Sequence, residues 1–166
     1  MLLILDERIE EIPNITLGNT ISNPGNIEEG KLKKFDCIVA NPPFGLKEWG
    51  YNEVLEDDRY NRFHRGIPSK SSGDYAFISH IIESMNKNGT AAVIVTTGVL
   101  FKEGAEGEIR KQIINENLID AVISLPNNMM YGTAIPVNII IFKKNKKEKD
   151  VLFIDTSSRV ENNRVL

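Results

Sequence analysis

The feature that most constrains the fold is an alternation between short apolar runs and amphipathic helical patterns. The runs occupy residues Phe35–Ala40, 91–96, 119–125, 137–142 and 151–154, a length and spacing typical of buried strands. Helical spacing predicts one helix over residues 74–86, ended by Asn88-Gly89, and another over Ala105–Asn115. Strands that return through helices pair in parallel, so this order predicts an α/β sheet covered on both faces. The strands around Ile123 and Ile140 have no helix between them, which predicts an antiparallel pair.

Length and composition limit the class of protein. A chain of 166 residues with 41% hydrophobic content can form one domain with its own core. No apolar run approaches the roughly 20 residues that cross a bilayer, and a single cysteine fits a reducing cytoplasm. The two histidines lie far apart without neighbouring cysteines, so no metal site is predicted. A net charge of -3 argues against a chain that binds nucleic acid alone, because such proteins carry a basic excess.

The tetrapeptide Asn41-Pro42-Pro43-Phe44 follows the first long strand directly. Open α/β sheets bind ligands at the carboxyl ends of their strands, and consecutive prolines fix the backbone there. An Asn side-chain carbonyl and a backbone carbonyl can accept both hydrogens of an exocyclic amine, which frees the nitrogen lone pair to attack a methylsulfonium. The aromatic ring of Phe44 can stack on a base that has swung out of a duplex. The tetrapeptide is therefore suited to activating an exocyclic amine, with Asn41, Pro42, Pro43 and Phe44 as the candidate catalytic residues.

This tetrapeptide resembles the Asp/Asn/Ser-Pro-Pro-aromatic signature of the amino-methyltransferases. Two further segments, residues 73–101 and 109–146, resemble type I restriction-modification methylation subunits, and Gly18-Asn19-Thr20 is similar to the Gly-Asp-Thr-Leu before their catalytic strand. The resemblance implies a class I (Rossmann-like) methyltransferase sheet that ends in an antiparallel hairpin and uses S-adenosylmethionine. The Gly-rich first strand of that family does not occur before Asn41, so the N-terminal strands of the fold are expected to be missing.

The resemblance also implies a division of the chain and a function. Residues 1–34 form a leader with a remnant of the cofactor side, residues 35–155 form the core, and residues 41–73 form the catalytic loop. Asn19 and Asn41 are the expected cofactor contacts, and Asn19 stands where the family usually has Asp. The implied reaction is methylation of adenine N6 in DNA, in a cytoplasmic complex with a specificity and a restriction subunit. Two alternatives stay open: a catalytically incomplete fragment, or an amino-methyltransferase acting on cytosine N4, RNA guanine N2 or protein glutamine.

Several other side chains carry weaker predictions. The basic residues expected to contact DNA lie in the long polar loop, at Arg59, Arg62, Arg65 and Lys70. The sequence leaves open whether Trp49 and Tyr51 pack that loop or contact a base. For the remaining residues the favoured expectations are structural: Cys37 is buried in its strand, and His64 and His80 are solvated or capping. Asp74 either caps its helix, which is favoured, or contacts the target base or the loop. The lysines of residues 143–149 either lie on a solvated turn, which is favoured, or contact phosphate.

Overall fold

The computed structural model describes residues 16–130 and 134–157, and residues 1–15 of the predicted leader lie outside them. In chain order the elements are β1 (Ile27–Glu28), β2 (Lys31–Leu32), β3 (Phe35–Ala40), α1 (Tyr51–Glu56), α2 (Asp74–Ser84), β4 (Met85–Thr96), a 3-10 turn (Thr97–Leu100), α3 (Ala105–Asn115), β5 (Ile119–Ser124), β6 (Val137–Lys143) and β7 (Leu152–Asp155). The alternation of strands and helices expected from the apolar runs is confirmed. Within the described ranges, none of the helices is long and apolar enough to span a membrane.

The central sheet has five strands in the order β3-β4-β6-β5-β7. The strands β3 and β4 are parallel and are joined through α2, as a helical crossover requires. The strand β6 lies antiparallel to both of its neighbours, β4 and β5, which confirms the predicted hairpin. Because no helix separates β5 from β6, the chain reverses and inserts β6 between two strands that run the other way.

The helix α2 ends earlier than the sequence predicted. It ends at Ser84, and Met85 is already extended with ψ 138° and paired with Phe35 of β3. The prediction that Asn88-Gly89 closes the helix is therefore wrong, because both residues belong to β4. A Cβ atom at Gly89 would lie 2.8 Å from the Phe35 carbonyl oxygen, so the glycine permits close approach of two strands.

The main hydrophobic core lies on one face of the sheet, where α2 and α3 pack against it. Its buried side chains include Ile78 and Ile82 of α2, Val93 and Val95 of β4, Ile109 of α3, and Phe142 of β6. In β3, Ile38 and Ala40 pack against this core, whereas Val39 is 59% exposed and Cys37 is exposed on the opposite face. Two predictions are therefore wrong for the described residues: the sheet is not covered on both faces, and Cys37 is not buried.

The long polar segment after Phe44 is packed, although the sequence predicted no structure in it. It contains α1, and its side chains Trp49, Val54 and Phe63 form a second buried cluster together with Ile21 and with Ala76 of α2. Trp49 is fully buried, and its Nε1 donates a hydrogen bond to the Ser69 carbonyl at 3.1 Å. The Trp49 ring also makes an edge-to-face contact with Tyr51 at 5.6 Å between centroids. Both aromatic residues therefore pack the segment, which settles a question that the sequence left open.

Candidate active site

The structure places the tetrapeptide at the end of the sheet where the parallel strands β3 and β4 both finish. Ala40, the last residue of β3, pairs with Val93, and β4 ends shortly afterwards at Thr96. Asn41 and Pro43 are exposed, while Pro42 and Phe44 are half-buried. This is the position at which open α/β sheets bind ligands, so a polar group on Asn41 is presented at the ligand-binding edge.

The side-chain amide of Asn41 is available to a ligand. Within residues 16–130 and 134–157, no hydrogen bond occupies its oxygen or its nitrogen. The two prolines that follow have fixed φ angles, and neither carries a backbone N–H group. The site therefore combines an unused acceptor with a backbone that has few ways to move it.

An open cavity of about 320 Å³ borders Asn41. Its walls are formed by Thr20, Ala40, Asn41, Pro42, Pro43, Phe77, His80 and Ile81. The volume lies within the range of small-molecule sites, and the walls combine flat apolar side chains with three polar ones. The cavity thus joins the segment around residue 20, the tetrapeptide and helix α2 in one place.

The predicted cofactor residue Asn19 shapes the turn beside this cavity. Its Oδ1 accepts hydrogen bonds from the backbone N–H of Ile21 at 2.9 Å and of Ser22 at 3.2 Å. The Asn19 side chain is therefore engaged through its carbonyl oxygen, and its amide nitrogen remains for an outside partner. Its neighbour Thr20 lines the cavity together with Asn41, so the two predicted cofactor segments are brought side by side.

His80 lies between the cavity and the interior, which the sequence did not predict. Arg62 Nη1 donates to His80 Nδ1 at 3.2 Å, so the ring accepts at this nitrogen and is neutral. Burial lowers the pKa of His80 to about 4, and the positive charges of Arg62 and Lys34 add to the effect. His80 is therefore neither solvated nor a cap, and it is uncharged at neutral pH.

Arg62 connects the turn at residue 20 to helix α2. Its guanidinium is 2% exposed and donates to the carbonyl oxygens of Thr20 at 3.2 Å and Ile21 at 2.5 Å. Asp58 accepts the backbone N–H of Arg62 at 3.0 Å and lies 3.8 Å from its Nε. All of these partners belong to the chain itself, so the side chain holds the cavity wall in place.

The four residues predicted to contact DNA do not form one surface. Arg65 is 9% exposed, and its Nη1 and Nη2 bind Glu83 at 2.8 Å and Glu116 at 2.6 Å. Arg59 is exposed and paired with the exposed Asp57 at 3.2 Å, and Lys70 is exposed. Burial removes Arg62 and Arg65 from the surface, because a phosphate cannot reach a guanidinium that is enclosed by the chain. In the described part of the chain, no group of three or more His, Cys, Asp and Glu side chains could hold a metal ion.

The carboxylate of Asp74 is buried and contacts the loop, the less favoured of the possibilities that the sequence left open. The N-cap of α2 is Gly73, and no side chain caps the helix. Instead, Asp74 Oδ1 accepts the N–H of Gly45, the residue after Phe44, at 2.8 Å. The favoured prediction, that Asp74 caps its helix, is wrong, and the alternative contact with the loop is the one observed.

Comparison with known proteins agrees with this geometry. The model of the N-6 DNA methylase family matches residues 1–165. The methylase subunit of the type I restriction enzyme HindI from Haemophilus influenzae is 42% identical over 125 residues, which are 74% of this chain and 28% of that subunit.

Solved structures give the same picture. The type I restriction-modification methyltransferase subunit from Streptococcus thermophilus superposes with a TM-score of 0.77 at 36% identity, covering 87% of this chain and 30% of that one. A class I S-adenosylmethionine-dependent methyltransferase from Listeria monocytogenes, itself a putative assignment, shares the fold with a TM-score of 0.59 at 18% identity, covering 76% of this chain and 38% of that one.

The chain thus spans under a third of the length of the type I subunits it matches. Its fold is that of the class I S-adenosylmethionine-dependent methyltransferases, and the antiparallel strand β6 lies between β4 and β5 in its sheet. The match of the family model over nearly every residue, together with the tetrapeptide at the strand end, shows that the chain belongs to the N-6 DNA methylase family.

Proposed function

We propose that this chain carries the amine-activating part of a DNA adenine-N6 methyltransferase from a type I restriction-modification system. The observation that carries the proposal is the unoccupied amide of Asn41, held at the ligand-binding edge of a methyltransferase sheet. The relatives named as type I methylase subunits support adenine as the target over the other exocyclic amines.

Asn41 and Pro42 activate the target nitrogen in this mechanism. The N6 lone pair of adenine is delocalised into the ring, which makes the amine a poor nucleophile. The Asn41 Oδ1 and the Pro42 carbonyl oxygen each accept a hydrogen bond from one N–H of the amine. These two bonds draw the nitrogen toward tetrahedral geometry. The lone pair then points toward the methyl donor, and no side-chain base with a shifted pKa is required.

Phe44 holds the target base against these acceptors. Phe44 is half-buried and lies three residues after the exposed Asn41, so part of its side chain is accessible to a flipped base. Stacking of this kind is worth about 1–3 kcal/mol per base, which offsets part of the few kcal/mol that flipping costs.

The cavity beside Asn41 fits one part of S-adenosylmethionine, which supplies the methyl group on a sulfonium. Phe77 and Pro42 offer apolar surfaces for a flat purine, and Thr20, Asn41 and His80 add polar groups at its rim. Asn19 supports the same wall through its turn. The Gly-rich strand and the acidic strand end that hold the remainder of the cofactor in this family do not occur in the sequence before Asn41.

The proposed protein acts on DNA within a cytoplasmic complex. Type I relatives are named as subunits of restriction enzymes. A net charge of -3 gives this chain no basic excess, and two of the four basic residues predicted to contact DNA, Arg62 and Arg65, are buried. The specificity and restriction subunits, with the rest of the methylation subunit, would then supply most of the phosphate contacts. Arg59 and Lys70 remain as exposed candidates for local contacts to the backbone.

Substitution of Asn41 tests the proposal. In the methylation subunit assembled with its partners, we expect Asn41→Ala to lower methyl transfer by about 100-fold or more, the usual cost of losing one preorganised polar contact to a transition state. Asn41→Asp keeps an acceptor and should retain more activity, and Asn52→Ala on the exposed face of α1 is a matched control. Methylated nucleosides released from the DNA identify the base. Activity of Asn41→Ala within a factor of a few of the wild type would refute the mechanism.

The alternative, a fragment without cofactor affinity, is tested by calorimetry. We expect the 166-residue chain alone to bind S-adenosylmethionine weakly or not at all, because the cavity holds one part of the cofactor only. A micromolar dissociation constant for this chain would show that its own residues complete the site.

A further inference from the structure

Asp74 is a buried carboxylate whose partners come from three different parts of the chain. It is 6% exposed. Its Oδ1 accepts the Gly45 N–H at 2.8 Å, and its Oδ2 accepts the Ser72 hydroxyl at 2.9 Å and the Lys102 ammonium at 3.2 Å. A buried carboxylate is costly unless it is fully hydrogen-bonded and paired with a positive charge, and these three donors meet that requirement.

The contact with Gly45 reaches the residue directly after the tetrapeptide. Gly45 has a φ of +59°, a left-handed conformation in which a side chain would be strained. One residue later, the Leu46 carbonyl accepts the N–H of Gly73 at 2.9 Å. Two consecutive residues after Phe44 are thus hydrogen-bonded to the start of α2.

Lys102 brings the neighbouring strand into the same arrangement. It follows β4 and the 3-10 turn, and its ammonium also contacts the Ser72 hydroxyl at 3.0 Å. Arg110 Nη1 in turn donates to the Lys102 carbonyl at 2.7 Å. The segments that leave β3 and β4 at the ligand-binding edge are therefore joined through one carboxylate.

We propose that Asp74 is a positioning residue for methyl transfer: its carboxylate fixes the turn after Phe44, and Lys102 compensates its charge. The inference rests on the proposed function, because it attributes the placement of the catalytic side chains Asn41 and Phe44 to the hydrogen bond between Asp74 and Gly45. Asp74 touches neither base nor cofactor in this role. It acts by limiting the conformations of the backbone that carries the two catalytic side chains.

Hydrogen exchange of the Gly45 amide in the 166-residue chain, followed by nuclear magnetic resonance, tests the proposal. Two double variants are compared. The asparagine pair combines Asp74→Asn with Lys102→Met, and the alanine pair combines Asp74→Ala with Lys102→Met. Both double variants lack the charge pair, and only the first keeps an oxygen that can accept the Gly45 N–H. Asp57→Asn, an exposed carboxylate of the same segment, is the matched control.

We expect the alanine pair to accelerate exchange of the Gly45 amide by about tenfold or more relative to the asparagine pair, which corresponds to about 1.4 kcal/mol. Equal exchange in the two double variants would overturn the proposal. If the alanine pair does not fold, as judged by circular dichroism, a folded asparagine pair with an unprotected Gly45 amide would overturn it equally.

Methyl transfer by the assembled subunit separates this inference from the proposed function. We expect the alanine pair to lower kcat by more than it raises KM for S-adenosylmethionine, and the asparagine pair to recover part of kcat. If Asn41→Ala retains activity, the proposed function fails, while the exchange of the Gly45 amide still decides whether Asp74 fixes the turn.

Discussion

Acidification should destabilise this chain through His80, a side chain that the sequence alone marked as unremarkable. Burial and the nearby charges of Arg62 and Lys34 lower the pKa of His80 from 6.5 to about 4. Because the unfolded chain binds the proton more readily, acid lowers the free energy of unfolding, and this destabilisation is small above pH 6.5. It grows as the pH falls and levels off below about pH 4. Each pH unit by which a pKa differs between the two states is worth about 1.4 kcal/mol, so the fold loses about 3 kcal/mol over this range.

The free energy of unfolding in urea, measured between pH 7 and 4.5, provides the test. The chain has a single tryptophan, and Trp49 is fully buried, so its fluorescence reports unfolding. Acid acts on the whole protein and not on His80 alone, and a matched variant is therefore needed. His80→Asn retains an acceptor near the position of Nδ1, toward Arg62, and cannot be protonated.

The difference between wild type and His80→Asn isolates the histidine. We expect the wild type to lose about 2–3 kcal/mol more than His80→Asn between pH 7 and 4.5. Parallel loss of stability in the two proteins would show that His80 takes up its proton equally well in the folded chain, and the account of the Arg62 contact would be wrong.

Three further predictions concern the site and its support. In the assembled subunit, Phe44→Ala should weaken catalysis and Phe44→Tyr should retain it, because stacking needs an aromatic face. A fluorescent adenine analogue at the target position reports base flipping, and an unchanged signal in Phe44→Ala would exclude Phe44 from the site. Arg65→Met should lower the free energy of unfolding by about 3 kcal/mol, since Glu83 and the half-exposed Glu116 lose their partner. Urea unfolding measures this loss against the exposed control Arg59→Met, and an equal loss of stability in the two variants would contradict the prediction. The chain alone should not bind duplex DNA usefully at about 150 mM salt, and tight, salt-sensitive binding in an anisotropy titration would refute the assignment of phosphate contacts to partner subunits.

Prediction from the sequence succeeded where a local rule controls the structure. The apolar run Phe35–Ala40 ends at two prolines and forms β3, and the absence of a helix between β5 and β6 forced an antiparallel pair. It failed for the helix end at Ser84, because pairing of Met85 with Phe35 outweighed the glycine signal at Gly89. The position of the tetrapeptide at the edge of the sheet also follows from a local rule, because its two prolines end β3.

Tertiary structure alone decided which charged side chains are buried and paired. Arg65 contacts Glu116, 51 positions along the chain, and Arg62 contacts the carbonyl of Thr20, 42 positions away. No pattern within a short window distinguishes these arginines from the exposed Arg59. The sequence by itself determined the five strands of the central sheet and where Asn41 stands, because propensity, proline geometry and strand direction act over a few residues. Only the folded chain decided which carboxylates and guanidinium groups are buried, since desolvation and pairing depend on segments that are distant in sequence.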